Sequence, residues 1–134
     1  MSEIKVDTLT GKTTAGDITV TSEGGAATMQ LQQGLAKAWV KLNQTDGLAT
    51  DSFNVASVSD DATAVGSYTF TNNMNNDSFC VSSMGGKNDY IQSNTDRTDA
   101  TPDSTSGVSL INSNYNGANN DTKQMNSVVH GDLA

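Results

Sequence analysis

The chain has 134 residues and a formal net charge of −8 at pH 7, and only 34% of its residues are hydrophobic. This length allows one compact domain with a small appendage, and the negative charge disfavours a phosphate backbone or an anionic membrane surface as a partner. We therefore expect no nucleic acid partner, and a core this poor in apolar residues favours association of subunits as an added source of stability.

The sequence has no apolar run long enough to span a membrane. Its first residues also lack the charged region and the apolar region of a secretory signal peptide. We therefore expect no membrane insertion, and synthesis in the cytoplasm without export by that route. Abundant Ser, Thr, Asn and Gly with few leucines is typical of short strands joined by tight turns. The predicted fold class is all-β.

Residues 1–25 are predicted to form an extended attachment segment. Ile4, Val6 and Leu9 have the spacing of a short amphipathic strand, and Ile18 and Val20 have that of a second. Two strands with so few apolar residues are marginal in water, because neither can bury a face against the other. The segment is therefore expected to lie against symmetry mates or against another protein.

Residues 26–35 are predicted to form a short helical linker. The pattern over residues 26–33 indicates about two helical turns, and Gly34 follows in the position favoured for a left-handed cap. A helix this short does not persist alone, so its apolar residues must pack on something. Met29 and Leu31 are predicted to lie in a local core or in a seam between subunits, and Leu35 is assigned to the same seam.

Residues 36–134 are predicted to form the head of the protein. The first head strand alternates, and its inward residues are Ala36, Ala38, Val40 and Leu42. Trp39, the single tryptophan, lies between Lys37 and Lys41 on the outward face. Its ring is expected either to be covered by a neighbouring subunit or by the attachment segment, or to stack on a sugar.

Further strands are predicted at 52–59, 66–71, 78–83, near 90–91, at 108–111 and at 124–130, with a turn at 44–47. Six or seven short strands at regular spacing indicate a small antiparallel β-sandwich. Residues 85–106 are predicted to form a long polar loop around the strand near 90–91, and residues 112–122 a second, asparagine-rich loop. Tyr90 and Tyr115, which lie in these two segments, are candidates for surface recognition.

The inventory of catalytic and metal-ligating residues is small. His130 is the only histidine and Cys80 the only cysteine, so one chain offers no cluster of Cys and His ligands. His130 is interpreted as a structural residue, and Cys80 as a small buried hydrophobe between Phe79 and Val81. We therefore expect a protein that is not an enzyme and that has no cofactor and no metal.

Four stretches, at residues 2–16, 31–40, 51–58 and 128–133, resemble short tail-fibre-like virion proteins of marine bacteriophages, cyanophages among them. The Ile-Lys-Val-Asp-Thr-Leu run at 4–9 resembles the start of phage fibre proteins, in which the N-terminal segment anchors a trimer to the particle. The Gly-Leu-Ala-Lys-Ala-Trp-Val run at 34–40 resembles the stretch that precedes their compact β head.

This resemblance implies a homotrimeric, non-enzymatic virion structural protein that contacts other virion proteins through its N-terminus and projects a β head, with attachment to a host surface glycan or receptor as one role. Two alternatives stay open, a capsid decoration or tail adaptor protein without receptor binding, and a carbohydrate-binding module. The residues predicted to carry assembly and attachment are Ile4, Val6, Leu9, Met29, Leu31, Leu35 and Trp39.

Overall fold

The computed structural model describes residues 3–14, 17–86, 92–95, 104–114 and 116–134. Strands make up 50% of the structure and helix 4%, and several antiparallel sheets pack together, which confirms the all-β class. The chain divides into two compact units, Met1–Leu35 and Ala36–Ala134, and each unit is described by itself.

The N-terminal unit contains a two-stranded antiparallel sheet and one turn of helix. Strand β1 (Thr19–Thr21) pairs with β2 (Thr28–Gln30), and helix α1 (Leu31–Gly34) follows directly. Residues 3–11 form neither strand nor helix, so the strand predicted through Ile4, Val6 and Leu9 is wrong. Three isolated apolar residues have no neighbouring strand with which to pair, whereas β1 gains its hydrogen bonds from β2.

The helix predicted at 26–33 is also wrong, because residues 28–30 are a strand. A tight turn closes the β1–β2 hairpin, with the Gly25 N–H donating to the Ser22 carbonyl at 2.8 Å and Gly25 at φ +72°. That turn returns the chain antiparallel to β1, and only Leu31–Gly34 remain for the helix. Gly34 is the last helical residue and Leu35 is extended, so the predicted left-handed cap is absent.

The head consists of two four-stranded antiparallel sheets packed face to face as a sandwich. Its strands are β3 (Ala38–Asn43), β4 (Leu48–Phe53), β5 (Val55–Ala62), β6 (Val65–Phe70), β7 (Cys80–Gly86), β8 (Gln92–Thr95), β9 (Gly107–Ser113) and β10 (Gln124–His130). The order in the first sheet is β4-β3-β10-β7, and the order in the second sheet is β5-β6-β9-β8. The strands predicted at 66–71, 108–111 and 124–130 are confirmed as β6, β9 and β10.

The core lies between the two sheets and follows the two-residue alternation of the strands. The first sheet contributes Ala38, Val40, Leu42, Met125 and Val129, and the second contributes Tyr68, Phe70, Val108 and Leu110. The buried Tyr68 hydroxyl shares a hydrogen bond of 2.7 Å with the Ser127 hydroxyl of the opposite sheet. Full burial of a leucine or valine stabilises the fold by about 1.5–3 kcal/mol, so this alternation specifies which face of each strand turns inward.

The single strand predicted at 52–59 is two strands that belong to different sheets. Asn54 separates β4 from β5 and has φ +56°, a left-handed conformation that asparagine tolerates better than most residues. Its side-chain amide donates to the carbonyls of Lys37 and Asn72, both at 3.0 Å, and its side-chain oxygen accepts the Asn72 N–H at 2.7 Å. These bonds fix the corner at which the chain passes from the first sheet to the second.

Strand β7 begins at Cys80, two residues after the predicted start, and the exposure of Cys80 differs from the prediction. Val81 lies opposite Val129 and packs against the core, so Cys80 points outward and is exposed. The prediction that Cys80 is buried is therefore wrong. Successive side chains of a strand point to opposite faces of the sheet, so Cys80 points outward when Val81 points inward.

One end of the sandwich is closed by a buried polar cluster instead of apolar side chains. Gln44, Asn112 and Thr122 are completely buried there. The Asn112 side-chain amide donates to Gln44 Oε1 and, at 2.9 Å, to Thr122 Oγ1, while the Thr122 N–H donates to Gln44 Oε1 at 3.1 Å. The cluster connects the predicted turn at 44–47, which is confirmed, to β9 and to the start of β10.

Candidate interaction surface

The outward side of the first sheet carries large apolar side chains in a cross-strand row. Phe53 lies directly opposite Trp39, and Trp39 lies directly opposite Val128. Trp39 and Val128 are half-buried, Phe53 is 53% exposed, and Met84 on the edge strand is 71% exposed. These four residues, with Lys41 and Asp51, are called the Trp39 face below.

Charge on the Trp39 face is balanced, although the chain as a whole carries −8. Lys41 and Asp51 are direct cross-strand partners in the row next to Trp39, and Asn126 lies on the other side of Lys41. One positive and one negative residue cancel, so a second copy can approach this face without the repulsion that the net charge creates elsewhere. Exposed aromatic residues in a charge-balanced patch are typical of a protein interface.

Of the seven residues predicted to carry assembly, Trp39 alone belongs to the head. It lies on β3, one of the two middle strands of the first sheet. The sequence alone does not indicate Phe53 and Val128 as its cross-strand neighbours, nor Met84 as a residue of the same face. Phe53 was assigned to one strand with Val55, and the break at Asn54 is what turns it to the outer side. The left-handed preference of asparagine was the available signal.

The other six residues lie in the N-terminal unit, and five of them are exposed. Ile4 is 85% exposed, and Leu31 is the one residue of the six that is half-buried. The exposed residues are Ile4, Val6, Leu9, Met29 and Leu35. Within 3–14 and 17–35, the part of this unit that the structure describes, no apolar residue is fully buried. The unit therefore has no apolar core of its own in the described residues, and its large side chains are available to a partner.

Lys37 directly precedes β3 and is only 4% exposed, whereas the sequence predicted it on the outward face. Its N–H donates to the Val129 carbonyl at 2.8 Å, and its carbonyl accepts the Asn54 amide at 3.0 Å. Burial of the ammonium lowers the pKa of Lys37 below 10.5, and the Asp132 carboxylate partly offsets this shift. The folded chain therefore holds this proton less firmly than the unfolded chain does.

This shift predicts an alkaline rise in stability. Between the lowered pKa and 10.5 the unfolded chain binds more protons, so the free energy of unfolding increases with pH in that interval. We expect Lys37→Met to remove the rise, as measured by urea unfolding from neutral pH to pH 10.5. Lys41→Met, at an exposed position within β3, is the matched control and is expected to keep the rise. An unchanged rise in Lys37→Met would contradict the assignment.

Tyr90 and Tyr115, the candidates for surface recognition, lie outside the residues that the structure describes, as does most of the predicted loop at 85–106.

His130 lies directly across from Cys80 on the outward side of the first sheet, and both are exposed. Among the described residues no three His, Cys, Asp or Glu side chains come together as a metal site. The expectation that the protein needs no metal stays a prediction.

The chain was compared with models of protein families, with curated proteins and with solved structures, and it matches none of them significantly. In the ranges that the structure describes, no helix has the length and apolar character needed to cross a membrane.

Proposed function

We propose that this chain is a non-enzymatic structural protein of a bacteriophage particle, a short fibre-like homotrimer anchored by its N-terminal unit and presenting the β-sandwich head. The observation that carries the proposal is the N-terminal unit, in which Ile4, Val6, Leu9, Met29 and Leu35 are exposed beside a hairpin of two three-residue strands. A two-stranded hairpin is marginal in water, so these side chains need a surface on which to pack.

The Trp39 face supports the self-association part of the proposal. Its aromatic pair, Trp39 and Phe53, lies on a charge-balanced sheet surface, and aromatic residues near the centre of an interface contribute most of the binding energy. The resemblance to phage fibre proteins supports three as the number of copies and supports the particle as the location. Host-surface attachment by the head is one role for such a protein, and capsid decoration or a tail adaptor function is the other.

Particle attachment can be tested with matched substitutions in the full-length chain. We expect Ile4→Asp combined with Leu9→Asp to abolish incorporation into virus particles, because two charges would enter an apolar contact. Thr8→Asp combined with Thr10→Asp adds the same charge at neighbouring polar positions and is expected to leave incorporation intact. Incorporation is measured by antibody labelling of purified particles; equal labelling with both variants, or no labelling of wild-type particles, would contradict the proposal.

Substitutions on the head test the Trp39 face separately. We expect Trp39→Ala to weaken self-association by about 2 kcal/mol or more, as is usual for a central aromatic residue. Met84→Ala, at the edge of the same face, is expected to weaken it by less than about 1 kcal/mol. Sedimentation equilibrium measures both changes, and circular dichroism confirms that each variant is folded. Equal effects of the two substitutions would contradict a central role for Trp39.

A second candidate function is a carbohydrate-binding module, and the exposed Phe53 beside Trp39 favours it. Two neighbouring aromatic rings on a sheet surface, with Lys41, Asp51 and Asn126 nearby, can stack on sugars and hydrogen-bond their hydroxyl groups. Binding of the chain to a glycan array, lost in Trp39→Ala without loss of fold, would favour this function over the particle role.

A further inference from the structure

A polar cleft lies on the outward side of the second sheet, in the sandwich layer opposite the Trp39 face. Its volume is about 210 Å³, and its polar lining is a set of hydroxyl groups with one carboxylate. The side chains that define this hydroxyl cleft are Asp61, Ser67, Thr69, Ser104, Ser106 and Ser109. Tyr68 and Val108 also border the cleft, but both are buried in the core between the sheets.

Strand pairing brings these hydroxyl groups together. Ser67 of β6 lies directly opposite Ser109 of β9, and Thr69 lies opposite Gly107, which has no side chain. A methyl group at Gly107 would come within 2.7 Å of the Tyr68 carbonyl oxygen, so a larger residue does not fit there. The cleft is therefore built by the register of the sheet.

The hydroxyl groups at the rim are arranged in pairs. Ser104 Oγ and Ser106 Oγ are 3.0 Å apart, and Thr69 Oγ1 is 2.6 Å from Ser57 Oγ. In each pair one hydroxyl donates its proton to the other hydroxyl, and the proton of that second hydroxyl can be donated to another acceptor. Each pair can therefore donate to and accept from a ligand at the same time.

The charges of the lining residues exclude most other ligand classes. No Lys, Arg or His is among the described residues that line the cleft, so an anion would meet Asp61 without a cationic partner. A hard cation takes six or more oxygen ligands and usually several carboxylates, and the lining offers one. An apolar ligand would cover hydroxyl groups without replacing their hydrogen bonds to water.

From this chemistry we infer that the hydroxyl cleft binds a neutral polyhydroxylated ligand, a single sugar residue. Asp61 accepts hydrogen bonds from two adjacent hydroxyl groups of that sugar. The volume is below the roughly 300–1,000 Å³ of pockets for drug-sized ligands, which favours one sugar ring over a longer glycan or a nucleotide. The inference does not depend on the particle role, because the cleft would bind sugar whether or not the chain joins a particle.

The test is a titration of the full-length, ¹⁵N-labelled chain with methyl glycosides of glucose, galactose, mannose and N-acetylglucosamine. We expect at least one glycoside to shift the amide signals of Ser67, Thr69 and residues 104–109 saturably, with millimolar affinity. Asp61→Asn keeps the shape and removes the charge, and it is expected to weaken binding about tenfold, because hydrogen bonds to a charged group are the stronger ones.

Asp60→Asn is the matched control, since Asp60 is exposed and does not line the cleft. It is expected to bind sugar like the unsubstituted chain. Three outcomes would overturn the inference: no saturable shift with any glycoside, equal weakening by the two substitutions, or shifts confined to Trp39 and Phe53. Saturable shifts with calcium chloride alone and none with the sugars would also overturn it, because the cleft would then be a cation site.

Discussion

Replacing Asn54 with alanine is expected to lower the free energy of unfolding by about 4–5 kcal/mol, a large part of the 5–15 kcal/mol that usually stabilises a domain. Alanine removes the hydrogen bonds to the Lys37 carbonyl, the Asn72 carbonyl and the Asn72 N–H, each worth about 1 kcal/mol. It also has to adopt φ +56°, which costs a residue with a Cβ about 1–2 kcal/mol. Urea unfolding followed by Trp39 fluorescence measures the change.

Glycine at the same position separates the two contributions. Asn54→Gly loses the same side-chain hydrogen bonds but adopts a positive φ readily, so we expect it to be about 1 kcal/mol more stable than Asn54→Ala. If both variants unfold at the wild-type urea concentration, the corner between the sheets does not depend on Asn54. Alanine and glycine variants of equal, lowered stability would show that the side-chain bonds matter and the backbone conformation does not.

The second large effect is expected at the buried polar cluster. Asn112→Ala removes the donor to Gln44 and Thr122 and leaves a space in a completely buried position, for an expected loss of about 2–4 kcal/mol. Asn126→Ala, on the exposed side of β10, is the matched control and should change stability by less than about 0.5 kcal/mol. Comparable losses for the two substitutions would contradict a stabilising role for the cluster.

A double-mutant cycle tests whether the cluster acts as a unit. We expect the combined loss for Gln44→Ala and Asn112→Ala to be smaller than the sum of the single losses, by about 0.5–3 kcal/mol, because the first substitution already removes their shared bond. Additive losses would mean that the two side chains stabilise the fold independently.

The class of fold could be predicted because inward and outward residues alternate in most of the head strands. Val40 and Leu42, and Tyr68 and Phe70, are spaced two apart with polar or small residues between them, and burial of those residues fixes the face of each strand. Where the pattern is short of apolar residues, as around Cys80, the sequence could not decide between the two faces. The inward face of this strand is fixed by a long-range contact, the pairing of Val81 with Val129.

The corner at Asn54 shows a second limit. Alternation continues through residues 52–59 almost without interruption, so the sequence read as one strand, yet the two halves belong to different sheets. Asparagine also occurs in many loops of this chain, so its tolerance of the left-handed conformation does not single out residue 54 as a corner.

The burial of Met74 is also not predictable from the local sequence. Met74 lies in an asparagine-rich turn but is buried, because it pairs with Leu133 near the C-terminus.

The candidate surface could be predicted in part. The position of Trp39 between two lysines indicates it in the sequence, whereas the other apolar residues of the Trp39 face come from three other strands and depend on register; they are Phe53, Val128 and Met84. Ile4, Val6 and Leu9 of the N-terminal segment are exposed, and their role in attachment stays a prediction. The hydroxyl cleft gave no sequence signal, because Ser and Thr are frequent throughout the chain.

Assembly into a trimer is the claim on which the proposed function depends most. Sedimentation velocity of the purified full-length chain at micromolar concentration tests it directly. We expect one main species with three times the chain mass of 14.0 kDa, shifted toward monomer by Trp39→Ala and less by Met84→Ala. A folded monomer at every concentration tested would contradict it.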